Sequence, residues 1–244
     1  MRYYATGRVL PERASVGFSR IQFAIDSGTV AIACDASQIA VTLDSLSSVD
    51  GWITARVQAE LYARVIVSNL GFHKGCGYSV EIVQVTEENG VAHVFGVGVV
   101  GLAFAEGSRA FHRAFELSNR DLYFRLAVQD YVRALTEISD CATYCYRAIE
   151  SIRSSFGPGD GSKPWADMHA ALGTSRGLID AVIKDFATPI RHGDWTEERP
   201  TNSQQRYDML ALTRTILSKY LDLRQPSLGS IRPPEEKATQ GENA

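Results

Sequence analysis

Between residues 124 and 156, apolar side chains return at alternating spacings of four and three: Phe124, Val128, Tyr131, Leu135, Ile138, Ala142, Cys145, Ile149, Ile152 and Phe156. A period of seven sustained this long is helical and lines one face of the helix with apolar groups. It predicts one helix of roughly 35 residues, about 50 Å long at 1.5 Å per residue. Such a stripe must be covered, so other helices have to pack on it. Gly157-Pro158-Gly159-Asp160-Gly161 stops the helix. A second helix begins near Trp165, with a break at Gly173, and carries Leu178, Val182, Ile183 and Phe186 inward until Pro189 ends it. Ser203 can cap a last helix with a core stripe of Tyr207, Leu210, Leu217 and Leu221. Long helices joined by short connectors favour antiparallel neighbours.

The front of the chain follows another rule. Residues 3–10, 16–25, 29–34 and 38–43 are short runs rich in β-branched and aromatic residues, separated by Pro11, Ser27-Gly28 and Asp35-Ala36-Ser37. They read as strands. From Trp52 to Leu70 the period lengthens, with Ile53, Val57, Leu61 and Val65 on one helical face and Arg56, Glu60 and Arg64 on another. Two further strands, 78–85 and 91–97, flank Asn89-Gly90, a strong hairpin signal. The expected class is therefore α+β, with an N-terminal β-rich domain and one packed helix over 1–107. A connector over 108–119 leads to an antiparallel helical bundle over 120–224. The last residues, 225–244, are rich in Pro, Gly, Glu and Lys and are expected to be disordered.

Composition narrows the function. Residues 1–116 hold 9 Lys and Arg against 11 Asp and Glu, and residues 117–224 hold 14 of each. Neither part has the surplus of positive charge that non-specific nucleic-acid binding uses, so any RNA contact must be a local basic site. Cys34, Cys76, Cys141 and Cys145 form no CxxC pair and no zinc-ligand pattern, and are expected to be buried free thiols. No metal or other cofactor is expected. The start lacks a basic segment followed by an apolar one, and the most apolar stretch, 94–105, is too short to span a bilayer. A cytoplasmic protein without membrane contact is the expectation.

Gly96-Val97-Gly98-Val99-Val100-Gly101 fits the dinucleotide-loop spelling, but no helix opens after it, and glycines relieving crowding in a strand explain it better. His73, His93, His112 and His169 lack partners at motif spacing and read as surface or satisfied core histidines. The segment that stands out is Ile190-Arg191-His192-Gly193-Asp194-Trp195. A histidine titrates near neutral pH and an adjacent arginine keeps its charge. Together they suit metal-free RNA cleavage, in which a 2′-hydroxyl loses a proton while charge builds on phosphorus. A plainer reading pairs Arg191 with Asp194, Glu197 or Glu198, and makes His192-Gly193 a helix C-cap. On the long helix, Asp140, Thr143, Arg147, Glu150 and Ser154 share a polar face. That face is either a solvated surface with an Arg147–Glu150 ion pair, or the wall of a polar pocket opposite Arg191 and His192.

The run Tyr146-Arg147-Ala148-Ile149-Glu150-Ser151-Ile152, the following Arg191-His192-Gly193 and a closing helix with Tyr220-Leu221 resemble the HEPN superfamily of helical domains. The resemblance covers roughly residues 120–224. It implies a dimer formed through the helices and RNA as ligand, in a setting of bacterial defence or toxin–antitoxin systems. It further implies metal-independent RNA cleavage with His192 as general acid and base and Arg191 as phosphate stabiliser, supported by Arg147, Glu150 and Asp194. The sequence departs from the family pattern at the arginine, which adjoins the histidine here instead of lying a few residues away. The alternative is a non-catalytic dimerisation or docking protein whose β-rich domain recognises a protein partner.

Overall fold

A computed structural model describes residues 1–25, 28–45, 51–95, 102, 108–137, 139–158, 161–193 and 201–224. By its packing the chain divides into two units, Met1–Ala103 with Glu137–Ser139, and Phe104–Thr136 with Asp140–Ala244.

The first unit holds six strands: β1 (Arg2–Leu10), β2 (Phe18–Ile25), β3 (Gly28–Asp35), β4 (Gln38–Ser45), β5 (Ser79–Glu87) and β6 (Ala92–Val94). One helix, α1 (Gly51–Lys74), falls between β4 and β5. The sheet runs β2-β3-β4-β1-β5-β6, and every pair is antiparallel. Alternation along β1 buries Tyr3, Ala5 and Val9, and the same face receives Val30, Ile32, Ile39, Val41, Leu43, Val80, Ile82 and Val85. The β3–β4 hairpin turns on Ala36 and Ser37, both with positive φ, as a two-residue loop that matches strand twist requires. Gly90 closes the β5–β6 hairpin. The expected turn at Ser27, the end of the strand beyond Phe95 and the glycine run from Gly96 to Gly101 lie outside the described residues.

The helix docks on a different face from the one its sequence suggests. Leu61 and Val65 are exposed, while Ala55, Ala59, Ala63 and Val67 are buried against the sheet. Small side chains at four-residue spacing let the helix axis lie close to the strands, and the bulkier Ile53 and Val57 are left half-buried at the flank.

In the second unit the single long helix is two. α3 (Leu122–Thr136) and α4 (Cys141–Ser154) are separated by a turn and pack on each other. Asp130 of α3 reaches Arg147 of α4 at 3.3 Å, so the chain doubles back. The apolar period does not register the break, because both helices face the same core. No glycine or proline marks it either; the signal is Asp140, the N-cap residue of α4. The stretch 108–119, expected as a connector, is almost all of α2 (Ser108–Arg120), which packs on α3 and α8.

Gly173, in the left-handed region at φ +56°, ends α5 (Ser162–Leu172) as the sequence suggests. Pro189 ends nothing. A short α6 (Arg176–Ile179) leads through one π-helical turn (Asp180–Lys184) into α7 (Asp185–His192), and Pro189 lies inside α7. The helix stops instead at Gly193, a left-handed C-cap. The last helix, α8 (Ser203–Arg224), is capped by Asn202 and not Ser203. Asn202 Oδ1 accepts from the Gln205 N–H, and the Asn202 N–H donates to Gln205 Oε1, both at 2.9 Å, a reciprocal capping box. Tyr220 of α8 is fully buried between Phe124 and Phe156, and its hydroxyl donates to Asp121 Oδ2 at 2.5 Å. Asp121 also accepts the Phe124 N–H, so one carboxylate caps α3 and ties α8 to it. Cys34, Cys141 and Cys145 are buried free thiols; Cys76 is exposed, following the α1 terminus into a loop.

Candidate functional site

The doubling back of α3 on α4 places two polar faces side by side. From α3 come Asp130 and Arg133, one turn apart; from α4 come Arg147, Glu150 and Arg153, each three residues on. Because α7 continues through Pro189, Arg191 reaches the same place. These residues line an open groove of about 590 Å³.

Ion pairs hold the groove in shape. Asp130 is buried and lies 3.3 Å from Arg147 and 3.7 Å from Arg133. Glu150 pairs with Arg191 at 3.2 Å. The expected i, i+3 pair between Arg147 and Glu150 is therefore replaced by two pairs that cross between helices. Aromatic rings lie beneath the guanidinium groups. Arg133 and Arg147 lie over Tyr144 at 5.9 and 5.5 Å, Arg191 over Tyr146 at 5.1 Å, and Arg153 over Trp165 at 5.6 Å. Burial pushes the Asp130 carboxyl above its ordinary range, against the pull of Arg147 and Arg133. Among the described residues, Arg133, Arg147 and Arg191 face the two carboxylates Asp130 and Glu150, so positive charge exceeds negative by one among them. Arg133 and Arg147 keep about half of their side-chain surface in solvent, at 56% and 47%, so each has donors to offer an anion.

Of the residues singled out from sequence, Arg147, Glu150 and Arg191 meet in this groove. His192 does not line it; it is exposed in the last turn of α7, beside the Gly193 cap. Asp194 lies outside the described residues. Sequence reasoning missed Asp130, Arg133 and Arg153. Asp130 and Arg133 were hidden by the single-helix reading, which set them along a rod from Arg147 instead of opposite it. Among the described residues, no three His, Cys, Asp or Glu are grouped to hold a metal ion, and no helix is long and apolar enough to cross a membrane.

Fold and groove together define a protein of two units, an antiparallel sheet with one helix and a helical bundle with an arginine-lined groove. The chain belongs to the DUF8168 family. Residues 3–95 match the model described as the domain of unknown function (DUF8168) N-terminal domain, and residues 109–225 match that of its C-terminal domain. No curated protein and no solved structure matches the chain. The family models carry no HEPN assignment.

Proposed function

We propose that the helical unit binds single-stranded RNA, with the phosphodiester backbone lying along Arg133, Arg147 and Arg191. The observation that carries this reading is the convergence of four arginines, each over an aromatic ring, on one open groove. Guanidinium forks suit phosphate oxygens, and an aromatic backing fixes their planes before the ligand arrives. Asp130 and Glu150 orient the arginines and also compete with phosphate, which favours modest, salt-sensitive binding. The HEPN resemblance points to the same ligand. Binding is the better-supported activity than cleavage, because His192 sits at the end of α7 and not in the groove.

The test is fluorescence anisotropy with a labelled RNA of about twelve nucleotides, in EDTA, across about 50 to 200 mM salt. Arg133→Gln with Arg147→Gln should cut affinity at least tenfold and flatten the salt slope by about 0.7 per arginine. A double variant that binds like wild type removes the groove from the account. Gel analysis of the same mixtures reads cleavage: shortened RNA with wild type and intact RNA with His192→Ala would add the nuclease step.

A specific observation also favours a docking role. Phe111 and Phe115 of α2 are exposed at 65% and 56%, with near-parallel rings 6.0 Å apart. They offer an apolar strip through which two copies of the helical unit would pair. In the first unit, Leu61, Val65 and Phe72 of α1 are exposed in the same way, and would serve a protein partner. Light scattering on wild type and Phe111→Ser/Phe115→Ser separates the helical case: the variant should be a monomer where wild type is a dimer.

A further inference from the structure

Behind the groove, α5, the α6–π segment and α4 enclose a cavity of about 400 Å³, within the range of small-molecule sites. Its wall is a row of three near-parallel rings. Trp165 lies 24° from Tyr146 and 28° from His169, at centroid separations of 6.3 and 5.7 Å. Gly173 turns the chain so that Thr174 Oγ1 sits 2.8 Å from His169 Nδ1. The other ring nitrogen, Nε2, is buried and has no hydrogen-bond partner among the described residues. Buried polar atoms are nearly always paired, and this one belongs to a ring that lines the cavity. Opposite stands the single π turn, a feature that recurs at functional sites. It brings Asp180 and Lys184 to the cavity, and Arg176 joins them: Asp180 lies 3.2 Å from Arg176 and 3.6 Å from Lys184. The cationic pair exceeds the carboxylate by one charge.

A wall of aromatic rings and a positive rim together describe one chemistry, a planar heterocycle carrying a phosphate. We infer that this cavity is a base-recognition site that packs a nucleobase against its aromatic wall at Trp165 and receives its phosphate at Arg176 and Lys184. Two sources could supply that nucleotide. One is a residue of an RNA strand lying in the groove, since Arg191 rests on Tyr146 and Arg153 on Trp165, so that the two sites adjoin; this source rests on the RNA reading. The other is a free mononucleotide, which does not.

Calorimetry on the full chain with adenosine 5′-monophosphate and ribose 5-phosphate, beside anisotropy with a short oligoadenylate, tests the site and its source. Trp165→Leu should weaken the affected ligand about five- to 150-fold, the range of base–aromatic stacking. Arg176→Glu, at a side chain 78% exposed, should weaken it without moving the thermal transition, which guards against a misfolded Trp165 variant. Mononucleotide binding at least tenfold tighter than ribose 5-phosphate, and sensitive to both variants, establishes base recognition of a free nucleotide. Loss confined to the oligoadenylate assigns the strand source. Equal binding of the two small ligands overturns base recognition, as does oligoadenylate and mononucleotide behaviour indifferent to both variants. The RNA groove fails separately, if Arg133→Gln with Arg147→Gln leaves oligoadenylate binding intact.

Discussion

Replacing Asp130 by asparagine should make the helical unit bind RNA more tightly. The carboxylate lies 3.3 Å from Arg147 and 3.7 Å from Arg133 and competes with phosphate for their charge. A phosphate on the outer edge of Arg147 would stand about 6 Å from Asp130, where two like charges repel by about 0.7 kcal/mol in bulk water and about 3 kcal/mol at an effective dielectric of about 20. The groove is open, so the lower part of that range applies, and an affinity gain of about three- to tenfold is expected. The slope of log affinity against log salt should steepen by up to about 0.7 if a released arginine takes a further phosphate. The fold should tolerate the change. Burial, the larger influence, raises the Asp130 pKa above its unfolded value, and the two arginines only partly offset it. A raised carboxyl contributes stability below its unfolded pKa and loses it as pH rises through the folded one, so at neutral pH the charge is a cost and the amide removes it. The same shift gives a second reading of the experiment. Wild-type affinity should climb towards that of Asp130→Asn as pH falls from neutral into the raised titration range, while the variant stays flat. Asp167→Asn, an exposed carboxylate on α5, is the control. A gain in affinity cannot come from misfolding. Unchanged or weaker RNA binding by a folded Asp130→Asn would refute the reasoning.

Other expectations concern the frame. Tyr220→Phe removes the hydrogen bond to Asp121 and should cost about 1–2 kcal/mol, read as a thermal transition lower by a few degrees; an unmoved transition would mean the buried pair is not holding α8 to α3. Gly7→Ala would set a Cβ 2.1 Å from the Glu81 carbonyl oxygen and 2.9 Å from Ile82 Cα, both backbone atoms of β5. With no side chain able to yield, a loss of about 1–3 kcal/mol or more is expected in the urea midpoint, and a wild-type midpoint would contradict the strand register. Asn202→Ala breaks the capping box of α8 and should cost about 1 kcal/mol by the same measurement. Burial lowers the His169 pKa below its ordinary value, so its contribution to stability is full above pH 6.5 and is lost as pH falls through the lowered value; His169→Gln should flatten that part of the stability–pH curve.

The first unit was legible because strand alternation and turn chemistry are local. Pro11, Ser37 and Asn89-Gly90 mark boundaries whatever the rest of the chain does. The docking face of α1 was not legible in the same way. Hydrophobicity favours Leu61 and Val65, but the interface selects for close approach, and Ala55, Ala59 and Ala63 win because the sheet fills the space their side chains leave.

The groove shows the opposite failure. Every residue in it was on the page, and three of them, Arg147, Glu150 and Arg191, could be picked out by chemistry alone. What could not be read was adjacency, which turns on α3 ending at Thr136 and α4 beginning at Cys141, with no glycine or proline among the residues of the sequence between them. A helix continuing through them would carry Asp130 and Arg147 about 25 Å apart at 1.5 Å per residue; the turn brings them into an ion pair. Pro189 misleads in the complementary direction. It reads as a stop, yet α7 runs on for three more residues, and it is that last turn that delivers Arg191 to Glu150 and leaves His192 in solvent. Whether Arg191 and His192 can face one site together therefore depends on where one helix ends. Had Pro189 ended it, Arg191 and His192 would share a loop and neither would be held at the groove. Because it does not, a helix presents the two side chains about 100° apart. Arg191 faces the groove while its neighbour turns away.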